Sequence, residues 1–368
     1  MGAISRHGAV GDSTAIVALD GLRGIAALAV VLFHIRNFTG VMLLPGAYLA
    51  VDLFFCISGF VLTHAYARRM RDGMDVRSFM LRRIIRLYPL YLLSGLLALA
   101  YIATLGSADN FAGNGPLCHL LNLLLIPMPL HWGWQADMFP INFVAWSILI
   151  ELGASLFFAL FLPALLARRH LYRVITVAAV LLIACALVYG DLNLGVTVMQ
   201  IPGALVRALF AFSAGIAIAL ARHDGASSPG LSFPLLALAA IVPMTLPLTG
   251  PMRIAIDLMT VLLIVPALVH AATRCRIDGP MARIATALGS ASYAVYILQV
   301  PMIAFAASAI TALGWGQSLP LGLGFTALLL AVSIVIDHHV DQPLRAWLTQ
   351  ALARRTPRAS TRHRATAP

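Results

Sequence analysis

The sequence is short of charge. Only 11% of its 368 residues are Asp, Glu, Lys or Arg, and 61% are hydrophobic, where soluble domains carry about 25% charged residues. That shortage excludes an ordinary water-soluble domain. Lysine is missing altogether, all 25 basic residues being arginine; such a bias follows from a high-GC genome and carries no mechanism. Cysteine is scarce as well. Cys56, Cys118, Cys185 and Cys275 are scattered without metal-ligand spacing, which excludes a zinc or redox motif, and three of them sit in or beside apolar runs as small buried hydrophobes. No internal repeat is visible. A signal-peptide cleavage site is also missing. The first apolar run, roughly 19–38, is too long for a leader and contains Arg23 and His34, so it reads as a retained span.

What the chain does have is long apolar runs, with a mean hydropathy of +0.91. A crossing helix needs ~20 apolar residues. Runs of that kind lie at about 18–38, 47–66, 84–106, 142–166, 171–189, 198–221, 231–248, 252–272, 287–310 and 319–339. The expected fold class is therefore all-α, a polytopic transmembrane helix bundle of about ten spans, forming one membrane domain at 18–348. An N-terminal segment at 1–17 precedes it, and a basic, polar tail at 349–368, expected to be disordered, follows. The apolar stretch 117–131 is short and holds Pro127 and Pro129, so it reads as a re-entrant or interfacial segment.

An even number of spans puts both termini on one side. With that side cytoplasmic, the inner segments receive Arg68, Arg69, Arg71, Arg77, Arg82, Arg83 and Arg86, then Arg168, Arg169, Arg173, Arg222, Arg274, Arg276 and Arg283, and the tail from Arg345 to Arg364. The outer side keeps only Arg36 and Arg253. The formal charge of +11 thus fits the positive-inside rule and attraction to anionic lipid. The partner it implies is the lipid bilayer, and no nucleic acid is expected.

Charged side chains are costly in a bilayer core, so each intramembrane one marks a functional candidate. The first span carries Asp20, Arg23 and His34. Arg23 and His34 are 11 residues apart, close to three helical turns, so they share a face with an axial offset of roughly 16 Å. Spans two and four run the opposite way and bring Asp52 and Glu151 toward the depth of His34. The three are expected to converge, because imidazole beside carboxylate is an arrangement that orients a general base. Arg207 and Asp257 are further buried candidates and possible partners for each other. Bland readings compete with these. A lone intramembrane histidine is ordinarily a packing hydrogen bonder, Asp20 and Arg23 fit a local ion pair at the helix mouth, and Asp52 fits a brace. Arg82, Arg83 and Arg86 fit snorkelling anchors. Glu151, in WSILIELGASLFF, is the hardest to account for structurally.

At these residues the sequence resembles acyltransferase family 3, the bacterial membrane O-acyltransferases that modify glycans and some lipids or antibiotics. In LDGLRGIAALAVVLFH the family's arginine, ten residues and histidine fall on Arg23 and His34. AVDLFFCISGFVLT resembles its second-helix motif at Asp52, Phe54, Phe55, Ser58 and Gly59, and FMLRRIIRLYPLYLL its arginine-rich third segment at Arg83 and Arg86 before Tyr88 and Pro89. WSILIE matches at Trp146, Ser147 and Glu151, and LGSASYAVYILQVPMI, with Tyr293, and DQPLRAWL resemble the closing helices. The ordered set spans 19 to 348. Departures are Ala50, where the family often has glycine, Gln299, where it often has histidine, and Leu152, where a second acidic residue is common; Gln299 and Leu152 are not counted as catalytic.

The resemblance implies a multi-pass protein of the bacterial cytoplasmic (inner) membrane with no permanently bound cofactor and no metal. It implies acyl-CoA, most often acetyl-CoA, as co-substrate, and transfer of the acyl group to a hydroxyl of a glycan, a glycolipid or another hydroxylated acceptor. Within that scheme His34, Glu151 and Asp52 are the expected catalytic residues, His34 acting as general base or transient acyl carrier. Arg23, Arg83 and Arg86 are expected to grip the donor's phosphates; Asp20, Trp146, Ser147, Tyr293 and Arg207 are secondary candidates. No hydrolase-like domain is appended, so a stand-alone membrane form is expected. The rival reading is a proton-coupled secondary transporter or flippase, since buried His, Asp, Glu and Arg also serve transport; such folds show paired repeats.

Overall fold

The computed structural model describes residues 7–105, 115–128, 137–222 and 231–355. Among them the chain is helical, with an isolated bridge between Asp137 and Thr197 in place of a sheet. The long elements are α1 (His7–His34), α2 (Ala50–Arg71), α3 (Val76–Thr104), α4 (Ala145–Leu166), α5 (Arg168–Tyr189), α6 (Ile201–Ala221), α7 (Phe233–Thr245), α8 (Gly250–Ala272), α9 (Gly279–Ala312), α10 (Leu319–Ile336) and α11 (Gln342–Arg355). A π turn lies inside α8 at Thr260–Ile264, and a second, Asp337–Asp341, joins α10 to α11.

Nine helices among the described residues are long and apolar enough to cross a membrane. At 13 residues α7 is shorter and stands where the sequence predicts a tenth span, but it still reaches from one end of the bundle toward the other. Its first residue, Phe233, packs against Gly21 near the Arg23 end of α1. Its penultimate residue, Met244, accepts a hydrogen bond from the Gly46 N–H, just before α2 and at the His34 end. α7 therefore links the two ends of the bundle. Many outward residues of α5 and α10 are apolar and exposed, as a helix facing lipid requires.

Several boundaries differ from the expected ones. The helical segment of α1 starts at His7 and ends at His34, where the chain breaks before a separate turn at Arg36–Thr39. The expected re-entrant stretch is a short helix, Pro116–Leu123, followed by non-helical chain to Met128; 129–131 lie outside the described residues, as do 1–6. Eight helical residues span about 12 Å, too little for a crossing. Helix continues to Arg355, into the stretch expected as a disordered tail; 356–368 lie outside the described residues.

The core is built on α1, α2, α6 and α9. Against α6, α2 makes its closest approach through two reciprocal glycines: a Cβ at Gly59 would collide with the Phe212 carbonyl, and one at Gly215 with the Cys56 carbonyl. Small residues at such crossings are how membrane helices gain van der Waals contact. The result buries 78% of the apolar window of α2, against 22% for α5 and α10. Candidate side chains of α1, α2 and α9 are therefore held at the centre of the bundle.

Candidate active site

A cavity of about 220 Å³ runs between α1, α2, α3, α4 and α9. On α4, Ser147, Glu151 and Ser155 recur every four residues, so they form one polar stripe along a helix that is otherwise apolar. Glu151 accepts from Arg83 Nη2 at 2.5 Å and from Ser58 Oγ at 3.1 Å, while Arg83 Nε donates to Ser155 Oγ at 3.3 Å. Arg23 pairs with Asp20 one turn earlier at 3.6 Å, as the i, i+3 spacing predicts. Arg86 also lines the cavity and has no ion-pair or hydrogen-bond partner among the described residues. Of the three guanidinium groups, only Arg86 lacks a direct carboxylate contact among the described residues. Such a cavity suits an anionic ligand.

Further along α9 the wall is formed by Ser292, Tyr293 and Tyr296, and one turn beyond Tyr296 stands Gln299. Its Nε2 donates to the Tyr296 carbonyl at 2.8 Å, and its Oε1 lies 3.0 Å from His34 Nδ1. The first bond fixes the second. A carbonyl only accepts, so the amide nitrogen faces Tyr296 and the amide oxygen faces His34. An oxygen acceptor requires N–H at Nδ1, so the neutral ring presents a lone pair at Nε2. The imidazole meets Phe33 and Phe143 edge-on, with centroids at 5.1 and 5.0 Å. The imidazole is thus oriented by a neutral amide and packed among aromatic rings, with Nε2 left as its acceptor nitrogen.

The expected convergence of His34 with Asp52 and Glu151 is not found. Both carboxylates go to arginines. Asp52 receives the Arg207 fork, Nε at 3.2 Å and Nη2 at 2.6 Å, and the same guanidinium donates to the Leu194 and Tyr48 carbonyls at 2.7 and 2.9 Å. The pair is almost fully buried, its side chains 1% and 0% exposed. Trp146 lies beneath Arg207, 5.7 Å from ring centre to guanidinium carbon. Nor do Arg207 and Asp257 pair with each other. Asp257 is held by Arg253, the Tyr48 hydroxyl at 2.7 Å and the Leu192 N–H at 2.9 Å. These two linked pairs tie the start of α2, the chain before α6 and the start of α8 together at the His34 end. Four of the five Arg207 N–H donors are engaged, and neither pair lines the cavity.

The structure therefore sorts the predicted residues by place. Arg23, Arg83, Arg86, Glu151, Ser147 and Tyr293 line one cavity; Asp20 stands beside it; His34 lies past its far end. Asp52, Arg207 and Trp146 form the clamp. Sequence reasoning missed Gln299 and Tyr296. A signal was present: Ser292, Tyr296 and Gln299 stand at i, i+4 and i+7 of the apolar α9, a single polar stripe. One further feature of that helix follows from Pro301, which has no N–H to give the Ile297 carbonyl. Ser94 Oγ and Asn142 Nδ2 supply it instead, at 2.7 and 3.0 Å, and so anchor α9 just where it carries Gln299.

Comparison with known proteins adds the following. A family model described as an acyltransferase domain, that of acyltransferase family 3, matches residues 16–338. Protein 2 in the picA locus of Rhizobium radiobacter is 35% identical over 46% of this chain and 94% of its own length. A Staphylococcus aureus (strain COL) protein provisionally named an O-acetyltransferase is 29% identical over 41% of this chain, and the match spans 25% of that longer protein. A Bacillus subtilis (strain 168) protein provisionally named a peptidoglycan O-acetyltransferase is 40% identical over 20% of this chain and 11% of its own length. No solved structure matches the chain.

Proposed function

Because the chain belongs to acyltransferase family 3 and is an acyltransferase, we propose that it moves a small acyl group, acetyl, from acyl-CoA to a hydroxyl of a glycan or glycolipid at the cytoplasmic membrane. The observation that carries this reading is one cavity with three arginines at one end and, one turn of α9 beyond the other, the Gln299–His34 pair. Arg23, Arg83 and Arg86 grip the donor's phosphates, with Glu151 and Ser155 holding Arg83 in place. The pantetheine arm lies along α1, whose Arg23-to-His34 offset of roughly 16 Å is close to its extended reach. His34 takes the proton of the acceptor hydroxyl at Nε2. The Arg23 end, which carries most of the basic loops, faces the cytoplasm, so both termini are inside. The relatives' names favour an acetyl group and a hydroxylated cell-surface polymer.

The test is His34→Ala in purified, detergent-solubilised protein supplied with radiolabelled acetyl-CoA and a panel of p-nitrophenyl glycosides. Loss of a general base lowers turnover by ~10²–10⁴-fold, while binding of CoA stays as in the parent protein. Undiminished transfer by the variant would sink the assignment. Acid-quench of the parent protein separates the two roles of His34: no acyl-histidine accumulates if it is a base.

A further inference from the structure

The cavity contains more hydroxyl groups than the grip on phosphates needs. Three of them are spent. Ser58 donates to Glu151, Ser292 to the Gly289 carbonyl at 2.7 Å and Tyr293 to the Leu87 carbonyl at 2.5 Å. The other two, Ser147 and Tyr296, stand 2.8 Å apart, oxygen to oxygen, at the His34 end of the space. Ser147 has the Val144 carbonyl at 3.1 Å as its acceptor, as a serine bonding back within a helix does. For Tyr296 that carbonyl is distant, at 3.4 Å. Its proton therefore rests on Ser147 Oγ and is free to turn toward a better acceptor in the cavity.

Its position is fixed independently. The Phe54 ring meets the Tyr296 ring at 5.6 Å, and the Tyr296 carbonyl takes the Gln299 amide that orients His34. Phe143, whose ring touches His34, is followed directly by Val144, whose carbonyl approaches the Tyr296 hydroxyl. We propose that Tyr296 is a catalytic residue, its phenol donating to the thioester carbonyl oxygen as negative charge develops there. This rests on the acyl-CoA reading above.

The step balances as follows. The acceptor oxygen bonds to the carbonyl carbon while its proton passes to His34 Nε2. The carbonyl oxygen becomes an oxyanion held by Tyr296. Collapse breaks the carbon–sulfur bond, and the leaving thiolate takes the proton from His34. Donors aimed at developing charge in a water-poor site are worth most in the transition state.

The variant is Tyr296→Phe, which keeps the ring packed on Phe54. Loss of one oxyanion donor lowers kcat by ~10²–10³-fold, with the KM for acetyl-CoA and the affinity for CoA unchanged. An unchanged kcat overturns the proposal and leaves the acyltransfer reading standing, provided that His34→Ala is inactive. Should His34→Ala remain active, the acyltransfer reading itself fails. If the phenylalanine variant does not accumulate, fluorotyrosines placed at 296 grade the donor's acidity; a kcat that varies along the series supports the role, and a flat series overturns it.

Discussion

Arg207 with Asp52 and Arg83 with Glu151 are the same chemical pair in two surroundings. In the first, the side chains are 1% and 0% exposed. The guanidinium is shared among a carboxylate, two backbone carbonyls and an indole face. In the second, the side chains are 12% and 20% exposed and open onto a cavity beside the unpartnered Arg86 and the half-matched Arg23. An intramembrane charge is thus no sign of chemistry by itself. What separates the two is unspent valence. A saturated pair holds helices together, whereas a pair that faces empty space next to a spare charge can receive a ligand.

The largest effect expected from this contrast falls on the saturated pair. Replacing Asp52 by alanine leaves Arg207 charged, buried and short of its counter-ion, which costs about 3–5 kcal/mol. The variant should accumulate poorly and melt far below the parent protein in detergent. Replacing both partners, Asp52→Leu with Arg207→Met, removes the stranded charge and recovers part of the loss. Recovery is incomplete because the Leu194 and Tyr48 carbonyls lose their donor. An Asp52→Ala protein with the parent's melting temperature would erase the contrast.

Next in size is Arg86. It makes no direct hydrogen bond or ion pair among the described residues, so Arg86→Gln should move the melting temperature far less than Asp52→Ala does. A charge-assisted hydrogen bond to a phosphate contributes about 1.5–3 kcal/mol, which weakens CoA binding by roughly one to two powers of ten. Titration of CoA into the purified protein measures it directly. An unaltered affinity would return Arg86 to the snorkelling anchors that precede many spans.

Much of this was legible in the sequence because the bilayer allows so few solutions. Run lengths located the nine helices long enough to cross and the shorter α7, and the family motifs fell on cavity residues such as Arg23, Arg83 and Glu151. Pairing was harder to read. Helix period places Asp52 and His34 at one depth, but depth says nothing about azimuth, and rotation about the α2 axis turns Asp52 to α6 instead of α1. His34 was expected to need a carboxylate, and the partner it has is Gln299, 265 residues away in sequence. Nothing local links those two positions. The polar stripe on α9 was the available clue, hidden because serine, tyrosine and glutamine are uncharged and do not stand out in an apolar run as Glu151 does.

Of the two ion pairs, the smaller stability effect belongs to Glu151→Gln, which makes it the sharpest test of the contrast. The amide keeps an oxygen for Ser58 and the shape of the side chain, and it removes only the charge opposite Arg83. Because both groups border the cavity, water can replace part of what is lost, so the cost should stay below the one at the fully buried Asp52. Activity should drop more than stability does, since Arg83 is then free to leave the position in which Glu151 and Ser155 hold it. The measurement is the melting temperature of Glu151→Gln beside that of Asp52→Asn, the same isosteric change at the saturated pair. A much larger fall for Asp52→Asn, with Glu151→Gln close to the parent protein yet slow in acyl transfer, is the expected pattern. Equal falls would make Arg83–Glu151 a second clamp, and the arginine end of the cavity would then be framework, with Arg86 its sole contribution to donor binding.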